Sequence, residues 1–169
     1  MHLHPDSGKW VVSWLGVLLS MATLILITAC SSAEVPLPQS IGSLRLEKVQ
    51  SGEEARREID RLHGKQIDFR RGYIGIYVAE NSRGQLWVSE HGSESGAAKA
   101  VENMDRSMKQ GKQESFWHFR KIMIEQWPVY VAVGMDQVHY FFQKGVRVIW
   151  LAVDPPLAKE AIRDALKKI

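Results

Sequence analysis

Apolar positions in this chain dominate first one stretch without a charged residue, Val11 to Ile27, and occur from Leu44 onward as short stretches whose spacing switches between two and about four. A spacing of two marks a strand with one face turned inward, and a spacing of three to four marks a helix with one apolar stripe. Leu44 and Leu46 alternate with polar neighbours as a short strand. Ser51 followed by Glu54 is the signature of a capped helix start, Ala55, Ile59 and Leu62 make its apolar face, and His63-Gly64 ends it. Tyr73 to Val78 and Leu86 to Val88, separated by the polar turn Glu80-Asn81-Ser82-Arg83-Gly84, read as a hairpin. A second helix carries Ala97, Val101, Met104 and Met108 and stops near Gly111. Phe116–Ile124, Val129–Val133, Val138–Phe142 and Val146–Val153 are bounded by Pro, Gly or Asp and too short for helices, so they are strands. Asp154-Pro155-Pro156 then opens a last helix through Leu157, Ala161, Ile162, Ala165 and Leu166.

This order predicts an α+β domain: an antiparallel sheet of about five to seven strands with helices packed on one face. Tyr77 to Met104 and Phe141 to Leu166 share the order aromatic strand, polar turn, Trp-bearing strand and amphipathic helix, with Trp87 and Trp150 in comparable places, and read as a hairpin-helix quasi-repeat. Both phases of Tyr73–Val78 are apolar, which predicts a central strand covered on both sides.

The early apolar run is followed by Ile27-Thr28-Ala29-Cys30, an aliphatic residue, two small residues and a cysteine. This resembles the lipobox of bacterial lipoproteins. The resemblance implies a signal peptide over 1–29, cleavage before Cys30 and diacylglyceryl attachment to its thiol, with further acylation giving an anchor of more than one chain. Ser31 in place of the aspartate that retains enteric lipoproteins at the inner membrane implies the outer membrane where there is one, and the plasma membrane otherwise. An uncleaved transmembrane anchor is the other reading of the same run, because Lys9 is offset by Asp6 where a signal carries net positive charge. The small, proline-containing stretch after Cys30 reads as a tether over 30–43, leaving 44–169 as one globular domain.

Composition narrows the chemistry. Cys30 is the only cysteine, which excludes an intramolecular disulfide and any cysteine-built zinc cluster. The net charge of +3 is spread without a basic run, so nucleic acid is not an expected partner, and it suits a position near anionic head groups. His63, His91, His118 and His139 show no metal-ligand spacing. Gly92-Ser93-Glu94-Ser95-Gly96 has a glutamate where a nucleophile elbow needs serine, and Ser93 reads instead as a helix cap. No phosphate loop or dinucleotide fingerprint is present, and no cofactor is implied.

The aromatic residues nearly all fall on predicted strands and on both phases, so rings in excess of the core predict a binding surface around Tyr77, Trp87, His118 and His139, with a membrane lipid, glycan or envelope protein as partner. The expected function is therefore a membrane-anchored, non-catalytic envelope binding module, held to the membrane through Cys30. The alternative is a small extracytoplasmic hydrolase or metal-binding protein whose site assembles from distant His and acidic residues.

Overall fold

The computed structural model describes residues 36–111 and 115–169. The run Val11–Ile27 and the Ile27–Cys30 motif, including Cys30 as the expected lipidation site, lie outside the described residues. Among those described, no helix is long and apolar enough to cross a membrane.

The elements follow as β1 (Ser40–Ile41), β2 (Leu44–Ser51), α1 (Gly52–His63), β3 (Arg71–Ala79), β4 (Ser82–Glu90), α2 (Glu94–Lys109), β5 (Phe116–Ile124), β6 (Trp127–Gly134), β7 (Gln137–Lys144), β8 (Arg147–Val153) and, after a single tight turn at Pro155–Leu157, α3 (Ala158–Lys168). All strands join one antiparallel sheet in the order β1-β2-β3-β4-β8-β7-β6-β5, curled into a half-barrel. The α+β antiparallel reading holds, but the sheet has eight strands where five to seven were expected. The extra one is β1, two residues within the stretch read as a tether. Ile41 pairs with Leu44 and is fully buried, and Leu37 before it is buried as well. Two apolar side chains in a polar, proline-containing segment leave no period to detect, yet each is worth about 1.5–3 kcal/mol when buried.

The helices occupy both faces, which corrects the expectation of one. Tyr73, Tyr77, Leu86, Val88, Tyr140, Phe142, Ile149 and Leu151 form the concave core with Ala158, Ala161, Ile162, Ala165 and Leu166 of α3. The alternate strand phase carries Ile74 against Ala55 and Ile59 of α1, and Tyr130, Phe141 and Val148 against Ala97 and Val101 of α2. Leu62 is exposed although it shares the α1 stripe. The position of α2 follows from its task. It links β4 in the middle of the sheet to β5 at the far edge, and its 16 residues, about 24 Å at 1.5 Å each, cover the roughly 19 Å of four strand spacings.

The two hairpins of the quasi-repeat meet at the centre, where β4 pairs with β8 and Trp87 stands opposite Trp150. Because α2 and α3 go to opposite faces, the unit is not repeated in three dimensions. Gly75 has a steric reason: a Cβ there would lie 2.6 Å from the Tyr77 ring, so its absence lets that ring lie flat along β3.

Candidate functional site

α3 is short and anchored at one side of the concave face. Its acidic stripe ties it to the β1–β2 turn: Asp164 accepts from the Gly42 N–H at 2.7 Å, and Glu160 accepts from the Ser43 N–H at 3.0 Å and from the Ser43 hydroxyl at 2.6 Å. Those Ser43 hydrogen bonds hold the Glu160 carboxyl below its usual range. Burial works against ionisation of Asp164, but Lys168 and the Gly42 N–H outweigh it and its pKa is also lowered. At the other end, Lys144 donates to the Leu166 carbonyl at 3.0 Å and Arg147 to that of Ile169 at 3.3 Å, as cations near a helix C-terminus do. Asp154, expected to cap this last helix with its side chain, instead accepts from the Arg83 N–H and from Gln137, stitching β8 to β4 and β7.

Fixed in this way, α3 leaves the β5–β6 end of the concave face open. The result is a cleft of about 770 Å³. Its floor is Ile122 and Ile124 of β5, Val131 and Val133 of β6, and Val138 and Tyr140 of β7; one wall is α3 with Ala158, Lys159, Ile162, Arg163 and Lys167. Arg120, His118, Met123 and Glu125 complete the rim on the β5 side. Burial raises the pKa of the Tyr140 phenol, with Arg120 pulling the other way, so it meets the cleft as a neutral hydroxyl. The size matches small-ligand sites, which are mostly apolar concavities with a few polar groups. Among the described residues, no group of three or more His, Cys, Asp or Glu is placed to hold a metal ion.

The structure does not gather the four surface candidates into one patch. Tyr77 is fully buried on the α3 side and donates its hydroxyl to the Pro38 carbonyl at 2.9 Å. Trp87 lies on the opposite face, half-buried beside the α1 cluster. His139 is buried, 3 % exposed, with Nε2 at 2.9 Å from the Gly134 carbonyl and Nδ1 accepting from the Trp150 indole at 3.1 Å. Only His118 is exposed. It sits at the β5 bulge with φ 54° and is the one candidate that reaches the cleft.

The aromatic surplus has a structural use. Phe119, Tyr130, Phe141 and Trp150, one from each of β5 to β8, stack as a ladder, with successive ring centroids 6.0, 4.7 and 5.2 Å apart and planes within 12°. α2 lies over it, and offset stacking of this kind adds about 0.5–1.5 kcal/mol per pair beyond burial. Among the described residues, Trp117, about half exposed, is the large aromatic ring that does remain at the surface.

Two further features belong to the polar interior. Glu90 bridges Arg71 at 2.7 Å and Arg147 at 3.1 Å, locking the end of β4 to its neighbours. Ser89 Oγ lies 3.1 Å from His91 Nε2, and both residues are buried. Ser93 caps α2 as expected, accepting from the Gly96 N–H at 3.1 Å, so the Gly-x-x-x-Gly stretch is a helix start.

The cleft cations Lys159, Arg163 and Lys167 were not singled out from sequence, although their spacing of four was visible. Charged residues on one helix face ordinarily meet water, and only the shortness of α3 and the curl of the sheet turn this stripe toward a concavity. Comparison with protein-family models, curated proteins and solved structures finds no match for the chain.

Proposed function

We propose that the chain is a lipid-anchored module of the bacterial cell envelope, held to the membrane through Cys30, and that its domain is a non-catalytic binder whose ligand seat is the cleft between α3 and β5–β6. The lipobox-like Ile27-Thr28-Ala29-Cys30 supports the anchor. The observation that carries the binding reading is the floor of the cleft, five aliphatic side chains and a neutral tyrosine left open by the short α3. The aliphatic floor of this cleft of about 770 Å³, rimmed by charged side chains, loses contact with water on binding a hydrophobic ligand, and this drives capture without any reaction.

The anchor is tested by metabolic labelling with a fatty acid: the parent chain incorporates label and Cys30→Ala does not, whereas equal incorporation defeats the lipoprotein reading in favour of a plain membrane anchor. The cleft is tested with residues 36–169 and the neutral apolar dye N-phenyl-1-naphthylamine. Val133→Trp fills the floor and abolishes the fluorescence rise seen with the parent domain; a rise that survives this substitution in a folded variant places the binding elsewhere.

A second reading, a small extracytoplasmic hydrolase, has one observation in its favour, the Ser89–His91 contact. Both side chains are buried, and neither lines the cleft. Labelling of Ser89 by a fluorophosphonate would move the conclusion toward this reading.

A further inference from the structure

The two exposed stripes of α3 have different fates. Glu160, Asp164 and Lys168 engage the β1–β2 segment, with Lys168 donating to the Ser40 carbonyl at 3.1 Å and pairing with Asp164 at 2.6 Å. Lys159, Arg163 and Lys167 recur every fourth residue, so they stack along one face, and that face is the cleft wall. Arg120 joins them from β5. None of these four cations pairs with a carboxylate among the described residues, and Glu125 is the one acid that lines the cleft. Three like charges at this spacing repel one another, a cost that an anion between them removes. Their aliphatic stems also extend the apolar floor toward the charged heads.

Resting on the binding reading above, we infer that the ligand is a long-chain monoacyl anion, a fatty-acid carboxylate or a monoacyl phosphate. The acyl chain lies on Ile122, Val131, Val133 and Ile162, and the head group meets Lys159 and Arg163. The guanidinium of Arg163 forms paired hydrogen bonds to either head group, since its planar fork matches carboxylate and phosphate oxygens alike. A cleft of about 770 Å³ is the size of a site for one small ligand, which suits one chain. For a chain anchored by lipid, such anions are close at hand.

The test uses the full chain in phosphatidylcholine nanodiscs with three photoactivatable probes of equal chain length, a diazirine fatty acid, the matching monoacyl phosphate and the matching alcohol. Crosslinks are mapped by peptide mass spectrometry. The acid, the phosphate or both label β5, β6 and α3 about tenfold more than the alcohol does, as one charge-assisted hydrogen bond warrants; whichever of the two dominates identifies the head group. In Lys159→Glu/Arg163→Glu that excess disappears while labelling by the alcohol persists, which also shows that the cleft is intact. Should that variant fail to fold, Lys159→Gln/Arg163→Gln carries the same expectation. Equal labelling by acid, phosphate and alcohol in the parent chain overturns the anionic class and leaves the cleft standing, and an anion excess that survives both substitutions overturns the seating of the head group on Lys159 and Arg163. Absence of cleft labelling by all three overturns the binding reading itself.

Discussion

His139 offers a stability test whose sign follows from two contacts. Nδ1 accepts the Trp150 indole N–H and Nε2 faces the Gly134 carbonyl, so the folded protein selects the neutral ring with its hydrogen on Nε2. A second proton would set an N–H against the Trp150 N–H. Burial therefore lowers the pKa of His139, with the Gly134 carbonyl pulling the other way, and burial also lowers that of His91 against the opposing pull of Asp68. A ring that stays neutral when folded but takes a proton when unfolded destabilises the native state as pH falls below about 6.5. Between pH 7.5 and 5.5 each such ring removes at most about 1.4 kcal/mol, so the two together remove up to about 2.7 kcal/mol. Carboxylates with lowered pKa add their loss only below about pH 4.5. His139→Leu leaves the Trp150 N–H and Gly134 carbonyl without their partner and costs about 2 kcal/mol at pH 7.5. The same substitution removes one of the two acid losses, so the gap between parent and variant narrows by up to about 1.4 kcal/mol at pH 5.5. Urea melts of residues 36–169 at pH 7.5, 6.5 and 5.5, followed by tryptophan fluorescence, measure both quantities. Parallel pH profiles for the two proteins, or a parent that gains stability on acidification, would refute the account.

Three further outcomes follow from the packing. Residues 36–169 unfold in one cooperative step unaffected by reductant, and a fragment beginning at residue 42 is less stable by about 3–5 kcal/mol, because it lacks the buried Leu37 and Ile41 and the Pro38 carbonyl that Tyr77 bonds; a denaturant midpoint shared by both fragments would contradict this. Asp136→Gly stabilises by about 0.5–1 kcal/mol, since Met135 and Asp136 form the β6–β7 turn with φ 50° and 60° and glycine relieves the left-handed strain, as thermal melts should register. Asp164→Ala costs about 1–2 kcal/mol through the Gly42 N–H, whereas Arg163→Ala on the neighbouring stripe stays within about 0.5 kcal/mol, and paired denaturant curves separate the two.

Every long element of this fold carries a local signature. The caps at Ser93 and Gly64, the apolar run of β3 and the four C-terminal strands are set by near neighbours along the chain, and they are found where the pattern places them. What escaped depends on partners distant in sequence. β1 exists because Ile41 meets Leu44 and the turn between them meets Glu160 and Asp164 of α3, more than a hundred residues away. The face chosen by each helix is equally non-local. α2 must cross the sheet to reach β5, and α3 is drawn to the other side by Tyr77, Leu86 and Leu151, so a count of apolar stripes alone could not divide them. The binding surface went astray for a related reason: the apolar phase read as surplus is the aromatic ladder beneath α2, and the candidate site lies on the concave face, where cations that look solvated in the sequence line a cleft.

The place of β8 between β4 and β7 has a consequence for how the chain matures. β1 to β4 and β5 to β8 are each built largely from neighbours in sequence, and such hairpins form within microseconds. The β4–β8 ladder that unites them joins residues some sixty positions apart, from Glu90–Arg147 to Gly84–Val153. Closing so long a loop is slow, and until it closes β4 presents an unpaired edge bearing Leu86 and Val88. A chain emerging N-terminus first holds that edge open until its last strand arrives. Folding of this protein is thus a late event in its synthesis, and the interval before β8 docks is when it most needs a chaperone.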